Sequence, residues 1–216
     1  MGISSFKTLL LSCLAMASIQ ELSAQQSPSN KETYQDFNML LVVGARAGYS
    51  IGNLFGGATV PTFQGPMYSG SAEYIIGRRR FSVAPFFEYR WMKLQNSANT
   101  LTETDTWKQS FMGGGLRVYS YGAFLKIGYG KSDVTETIVE GVTVVRSATP
   151  SSILTGGGMS WVAARNLRIE LGLDLMHTKI ATADGTFPNR HDLFNYAAHL
   201  GFKFVIDSGY SKVKKE

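Results

Sequence analysis

Between Phe194 and Ile206 every second residue is apolar: Phe194, Tyr196, Ala198, Leu200, Phe202, Phe204 and Ile206. The residues between them, Asn195, Ala197, His199, Gly201 and Lys203, are small or polar, with Val205 the exception. A period of two is the mark of a β-strand with two unlike faces. An apolar face this long and aromatic has to meet an apolar neighbour. The same alternation recurs along the chain, so the choice of folds narrows to those that give many strands the same two environments.

The N-terminus reads as an export signal. Lys7 supplies a positive start, Thr8 to Ile19 a short apolar run, and Leu22, Ser23 and Ala24 a small-residue cleavage site. Residues 1–24 are therefore expected to be a signal peptide and 25–36 a polar, flexible lead-in. The only cysteine is Cys13. It stands too close to Lys7 for a normal lipoprotein signal, and cleavage after Ala24 removes it. The mature chain then has no disulfide, no thiolate nucleophile and no cysteine-bound zinc. The signal carries one basic and one acidic residue, Lys7 and Glu21, so the net charge of +5 is unchanged by its loss. Without an aromatic-basic recognition motif, that charge points to anionic lipid or lipopolysaccharide head groups rather than to nucleic acid.

Eight strands account for residues 37–206. The first places Met39, Leu41, Val43, Ala45, Ala47, Tyr49 and Ile51 on one face. The third carries Phe81, Val83, Pro85, Phe87, Tyr89 and Trp91, and the seventh Leu167, Ile169, Leu171, Leu173 and Leu175. Pro85 has no N–H for a ladder, so a bulge or a lost hydrogen bond is expected there. Long connections are expected over Gly52–Pro66, Leu94–Thr106, Lys131–Pro150 and His177–Leu193. Tight turns are expected over Gly77–Arg80, Ser120–Gly122 and Ala163–Asn166. Within Lys131–Pro150, the segments Ile138–Val139 and Val142–Val145 flank Glu140–Gly141 as a protruding hairpin would. Long and short connections alternate strictly, as in an up-and-down barrel that sends its long loops to one side of a membrane. Residues 207–216 remain as a basic tail.

A mean hydropathy of -0.03 and the lack of a long apolar run after the signal leave no mature transmembrane helix. Barrel strands cross with only about 9–11 residues each, half of them apolar. A soluble eight-stranded carrier would put the apolar face inside. That face holds Tyr, Phe, Trp and Leu on almost every strand, too much bulk for an interior only just wide enough for side chains. The other face, rich in Gly, Ser and Ala with long charged residues among them, suits a narrow lumen. The expected fold is all-β: an eight-stranded antiparallel up-and-down transmembrane β-barrel, exported to a bacterial outer membrane.

The inward charges expected from this assignment are Arg46, Glu73, Glu88, Arg90, Arg117, Lys126, Arg168, Glu170, Asp174, His199 and Lys203. Counted from the tight turns, Glu73, Arg117, Lys126, Arg168, Glu170 and Lys203 fall in a lower layer. Arg46, Glu88, Arg90, Asp174 and His199 fall one layer higher. Charges confined in a lumen must be paired or hydrated. Their bulk favours a polar plug over a lined pore.

With this strand pattern, loop alternation, charged lumen and a closing strand bearing Phe202 and Phe204, the chain resembles the small eight-stranded outer-membrane barrels, the OmpA-like and OmpX-like family. The resemblance implies structural, adhesive or ligand-binding roles carried by external loops, and seldom catalysis. It also implies a terminal aromatic insertion signal, from which this chain departs by continuing through Asp207 to Glu216. The expected partners are outer-membrane lipids, lipopolysaccharide and an external ligand that the sequence does not name; the expected state is a monomer.

Other signals read as structural. Gly113–Gly115 and Gly156–Gly158 lack the following Lys-Ser/Thr and the helix that a phosphate loop needs. His177, His191 and His199 lack metal-ligand spacing, and no cofactor is implied. Lipid A deacylases, also small barrels, carry a His followed two residues later by a nucleophilic Ser. Here Thr178 and Lys179 follow His177. Thr178 belongs to the opposite face of the strand, out of reach as an activated hydroxyl.

Overall fold

The computed structural model describes residues 39–55, 62–78, 81–96, 104–140, 142–164 and 166–208. The expected signal peptide, the 25–36 lead-in and most of the expected tail lie outside the described residues, as do parts of all four long connections.

Nine strands are formed: β1 (Met39–Phe55), β2 (Thr62–Arg78), β3 (Phe81–Asn96), β4 (Thr104–Ser120), β5 (Ala123–Glu140), β6 (Val142–Ala148), β7 (Ser151–Ala164), β8 (Leu167–Ile180) and β9 (His191–Ser208). Each neighbour pairs antiparallel, and β4 pairs with β5 to close the sheet. Eight strands make the barrel wall. β6 and β7 together occupy the sixth position, separated only by Thr149 and Pro150. β7 pairs with the first half of β5 and β6 with the second half, so β5–β6 is the hairpin expected around Glu140–Gly141. The bond from the Ser132 N–H to the Pro150 carbonyl, 2.8 Å, bridges the break.

The wall closes on one side with tight turns. Tyr121 and Gly122 have φ of 48° and 86°, the pair of positive values that a two-residue hairpin turn matched to strand twist demands. Pro85 keeps its register opposite Leu116 on β4. Toward β2 the ladder runs to Glu73↔Phe86 and resumes at Ile76↔Val83, without a register shift. The proline therefore costs pairing on one side and no bulge forms.

The strands are longer than the alternation of the membrane-like face suggested. β1 runs to Phe55, β3 to Asn96, β8 to Ile180, and β4 begins at Thr104. β9 continues to Ser208, where Leu41↔Asp207 and Leu40↔Ser208 pair beyond a bulge, so the expected tail starts two residues late. At the end carrying the long connections, hereafter the loop end, the faces exchange polarity. Leu54, Phe63, Leu94, Trp107, Ile180 and Leu193 point inward and are buried. Their strand neighbours Lys93, Lys108 and Lys179 point outward and are exposed. The period of two is unbroken; only which face is apolar changes.

Around the middle, the outer surface is an apolar belt. Tyr49, Tyr68, Trp91, Tyr129 and Tyr196 ring it toward the loop end, and Tyr74, Phe81, Tyr121, Trp161 and Phe204 toward the turn end. The lumen is filled in layers. Leu40, Val42, Ile75, Ala84, Tyr119 and Phe124 close it at the turn end. The apolar cluster with Met67, Met92 and Trp107 closes it at the loop end, and the charged residues lie between.

Candidate functional site

The charged middle layer begins with backbone spacing. On β1 and β9, Gly44 stands opposite Lys203 and Arg46 opposite Gly201. Each long side chain faces a residue with none, and so turns into the lumen instead of against its neighbour. Gly156 and Gly172 leave similar room, beside Asp174 and the His199 ring respectively.

Four carboxylates organise the layer. Glu88 takes Arg46 at 2.8 Å, Arg90 at 2.6 Å and Lys126 at 3.1 Å. Asp174 takes Lys126 at 2.9 Å, His199 Nε2 at 3.3 Å and the Arg90 guanidinium in a short contact. Glu170 takes Arg46 Nε and Arg117, both at 2.8 Å, and the Lys203 ammonium in a short contact. Glu73 takes Lys203 at 3.0 Å and Arg117 at 3.2 Å. Every one of these side chains is at most 1% exposed. Arg46 joins the two halves, with Glu88 on one side and Glu170 on the other.

Five cations (Arg46, Arg90, Arg117, Lys126 and Lys203) face four carboxylates, so donors outnumber anions. Tyr119 takes part of the surplus: its oxygen accepts from Arg117 at 3.1 Å and Lys203 at 2.9 Å, and its O–H donates to Glu73 at 2.7 Å. Phe124 carries the Arg117 guanidinium 4.6 Å above its ring. A dense web of this kind offsets the desolvation of each ion only because nearly every charge has more than one partner.

Ten of the eleven residues expected in the lumen meet in this web, with two departures from the expected layering. Lys126 belongs with Glu88 and Asp174, not with the lower group. Barrel shear sets neighbouring register partners at different heights, and the flexible lysine stem reaches across the difference. Arg168 points inward by register, opposite Lys203, but is only half-buried and makes no ion pair among the described residues. The apolar layer of Leu40, Val42 and Tyr119 fills the lumen at the turn end, which leaves Arg168 at the rim.

A second polar group was not anticipated. The Asn195 amide donates to Gln109 at 2.7 Å, and the Gln109 amide donates to Thr178 at 2.8 Å and Ser132 at 3.2 Å. Ser152 joins Ser132 and Thr178, each at 2.7 Å. This belt crosses β4, β5, β7, β8 and β9 within the apolar half of the lumen. The signal for it was present in the inward phase of Trp107, Gln109 and Phe111.

Outside the wall, His177 Nε2 lies 3.1 Å from Asp192 Oδ1, and its ring stacks on Phe194 at 4.4 Å and 7°. The Thr178 hydroxyl is buried on the other side of the wall in the Gln109 belt, so this histidine and that hydroxyl cannot act as base and nucleophile. Among the described residues no three His, Asp or Glu side chains converge as metal ligands.

No protein-family model matches the chain, and no curated protein matches it. Solved structures do align with it. Neisserial surface protein A (NspA) shares 12% identity over 76% of this chain and 96% of its own, with a TM-score of 0.48. The attachment invasion locus protein Ail of Yersinia pestis shares 12% identity over 76% of this chain and 98% of its own, also at 0.48. The outer membrane protease OmpT of Escherichia coli shares 8% identity over 83% of this chain and 99% of its own, at 0.39.

Proposed function

We propose that this chain is an integral outer-membrane barrel with a closed lumen, which presents its long connections at the cell surface for envelope integrity, adhesion or ligand binding. One observation carries the reading: an exposed belt of Tyr, Phe, Trp and Leu surrounds a core of ion pairs at most 1% exposed. In water such a belt would drive aggregation, whereas in a bilayer it is the solvated face. The buried web suits a stabilising plug, since a conducting path needs hydrated, replaceable partners. The signal peptide, the monomeric state and contacts with lipopolysaccharide belong to this proposal.

The test has three readouts. Envelope fractionation should recover the protein with outer membranes, and it should migrate faster on gel electrophoresis unheated than boiled. Purified protein in planar bilayers should give no steady large conductance. The lipid A mass profile of cells should be the same with and without the protein. A soluble periplasmic monomer overturns the membrane reading, a steady conductance the plug, and an altered lipid A profile the non-catalytic role.

A further inference from the structure

Two features of the outer surface adjoin one another. The first is a groove of about 460 Å³ in the belt. Its floor is Ala45, Ala47 and Gly70, and its walls are Tyr68 and Trp91 on one side and Phe202 on the other. Tyr68 and Trp91 stack at 6.0 Å, which makes that wall a rigid double ring. A Cβ built at Gly70 would touch nothing within 4 Å, so the floor is open to the surroundings.

The second is a pair of like charges. Lys93 follows Trp91 by two residues on the same outward face, one step nearer the loop end, and it is paired in register directly with Lys108 on β4. Residues directly opposite on an antiparallel pair have Cβ atoms about 4.5–5.5 Å apart, and like charges there repel. Both lysines are exposed, and neither has an ion-pair partner among the described residues. Among the described side chains the neighbouring carboxylate is Asp133, which stands opposite Ser110, a diagonal step from Lys108. It accepts the Thr149 hydroxyl at 3.0 Å instead. Lys131 adds a further exposed cation on β5, opposite Met112.

We infer that Lys93, Lys108 and the adjoining groove form a docking site for an outer-leaflet lipid with a phosphate monoester head group, the phosphate between the two ammonium groups and an acyl chain along the Tyr68–Trp91 wall. This inference rests on the proposed membrane placement, with the loop end in the outer leaflet. Charge complementarity selects the occupant. A phosphate monoester carries about −1.5 to −2 near neutral pH, which matches two lysines, whereas a phosphodiester lipid carries one negative charge. Trp91, two residues from Lys93 on the same face, is the wall residue at which the head-group site meets the groove, so a chain attached to that head group would enter the belt along it.

The test uses the full mature protein in neutral detergent, with bound lipid counted by native mass spectrometry. The probes are bis-phosphorylated lipid A, the same lipid A dephosphorylated, dioleoyl phosphatidylglycerol, and inorganic phosphate as competitor. Retention of one bis-phosphorylated lipid A per barrel is expected. It should weaken about thirtyfold in the Lys93→Gln/Lys108→Gln double variant, at the scale of about 1 kcal/mol for each lysine near an anionic surface. It should also weaken in Gly70→Leu, which fills the groove and leaves both lysines in place. Inorganic phosphate should not displace the lipid. Equal retention of the dephosphorylated lipid or of phosphatidylglycerol overturns the assignment, as does displacement by inorganic phosphate or undiminished binding by the double variant. The unheated gel shift of each variant reads the barrel itself, so a failure of the membrane barrel and a failure of this site give different results.

Discussion

Gly201 lies directly across the β1–β9 ladder from Arg46, and a Cβ placed on Gly201 would come within 2.7 Å of the arginine Cγ. The glycine thus sets the path of the one residue that joins both halves of the lumen web. Gly201→Leu should displace Arg46 from Glu88 and Glu170 and destabilise the barrel by about 1–3 kcal/mol, as overpacking does. Gly70→Ala, whose added methyl meets nothing, should leave stability unchanged. Urea unfolding of the refolded barrel in detergent, followed by tryptophan fluorescence, measures both. Equal midpoints for the two variants would mean that Gly201 has no spacing role.

Glu170 holds three cations, Arg46, Arg117 and Lys203. Glu170→Gln leaves those charges buried with fewer counter-charges, and breaking one partner of a buried pair costs about 3–5 kcal/mol. The corresponding Asp192→Asn, at a side chain that sits outside the wall and is about a third exposed, should cost less than about 1 kcal/mol. A ranking in the reverse order under urea would contradict the view that the lumen web stabilises the fold.

On the outer face, Leu171 is 53% exposed at mid-belt. Leu171→Arg should destabilise the barrel by about 2–4 kcal/mol in a bilayer, the cost of a charge near the midplane. In water the same exposed position would tolerate arginine readily. Refolding titrations into lipid vesicles decide between the two environments, and a neutral outcome would sink the membrane-facing assignment.

The faces of most strands were legible because one period of two runs through each of them and the residues differ so sharply across it. Arg46, Glu88 and Asp174 could be assigned to the lumen from alternation alone. Their partners could not, since barrel shear decides which register neighbours share a height, and Lys126 moved by one layer for that reason. The loop-end half of the lumen was hidden by the exchange of polarity. Lys93-Leu94 and Trp107-Lys108 interrupt the pattern of the belt, so Leu94 reads as the start of the Leu94–Thr106 connection and Trp107 to Phe111 take no face, although their alternation is intact in the opposite sense. The Gln109 belt was lost with them. Arg168 shows the limit in the other direction: its phase is inward, but phase says nothing about how far the lumen extends past the last apolar layer.

Trypsin added to intact cells tests which end faces out. The 97–103 connection contains no Lys or Arg; Lys93, Lys108, Lys179 and Arg146 stand within paired strands at the loop end, and Arg190 is the trypsin site in the 181–190 connection. Arg146 is paired with Glu136 at 3.2 Å within a strand, which slows cleavage there, and cutting after Arg190 or Arg146 on intact cells is the expected outcome. At the turn end the run Arg78-Arg79-Arg80 and the tail lysines Lys212, Lys214 and Lys215 should be spared until the envelope is opened. Fragment masses distinguish these sites directly. Cutting within Arg78–Arg80 on intact cells, with Arg190 and Arg146 untouched, would mean that the barrel is inserted with the opposite orientation. The two lysines of the proposed lipid site would then stand in the inner leaflet.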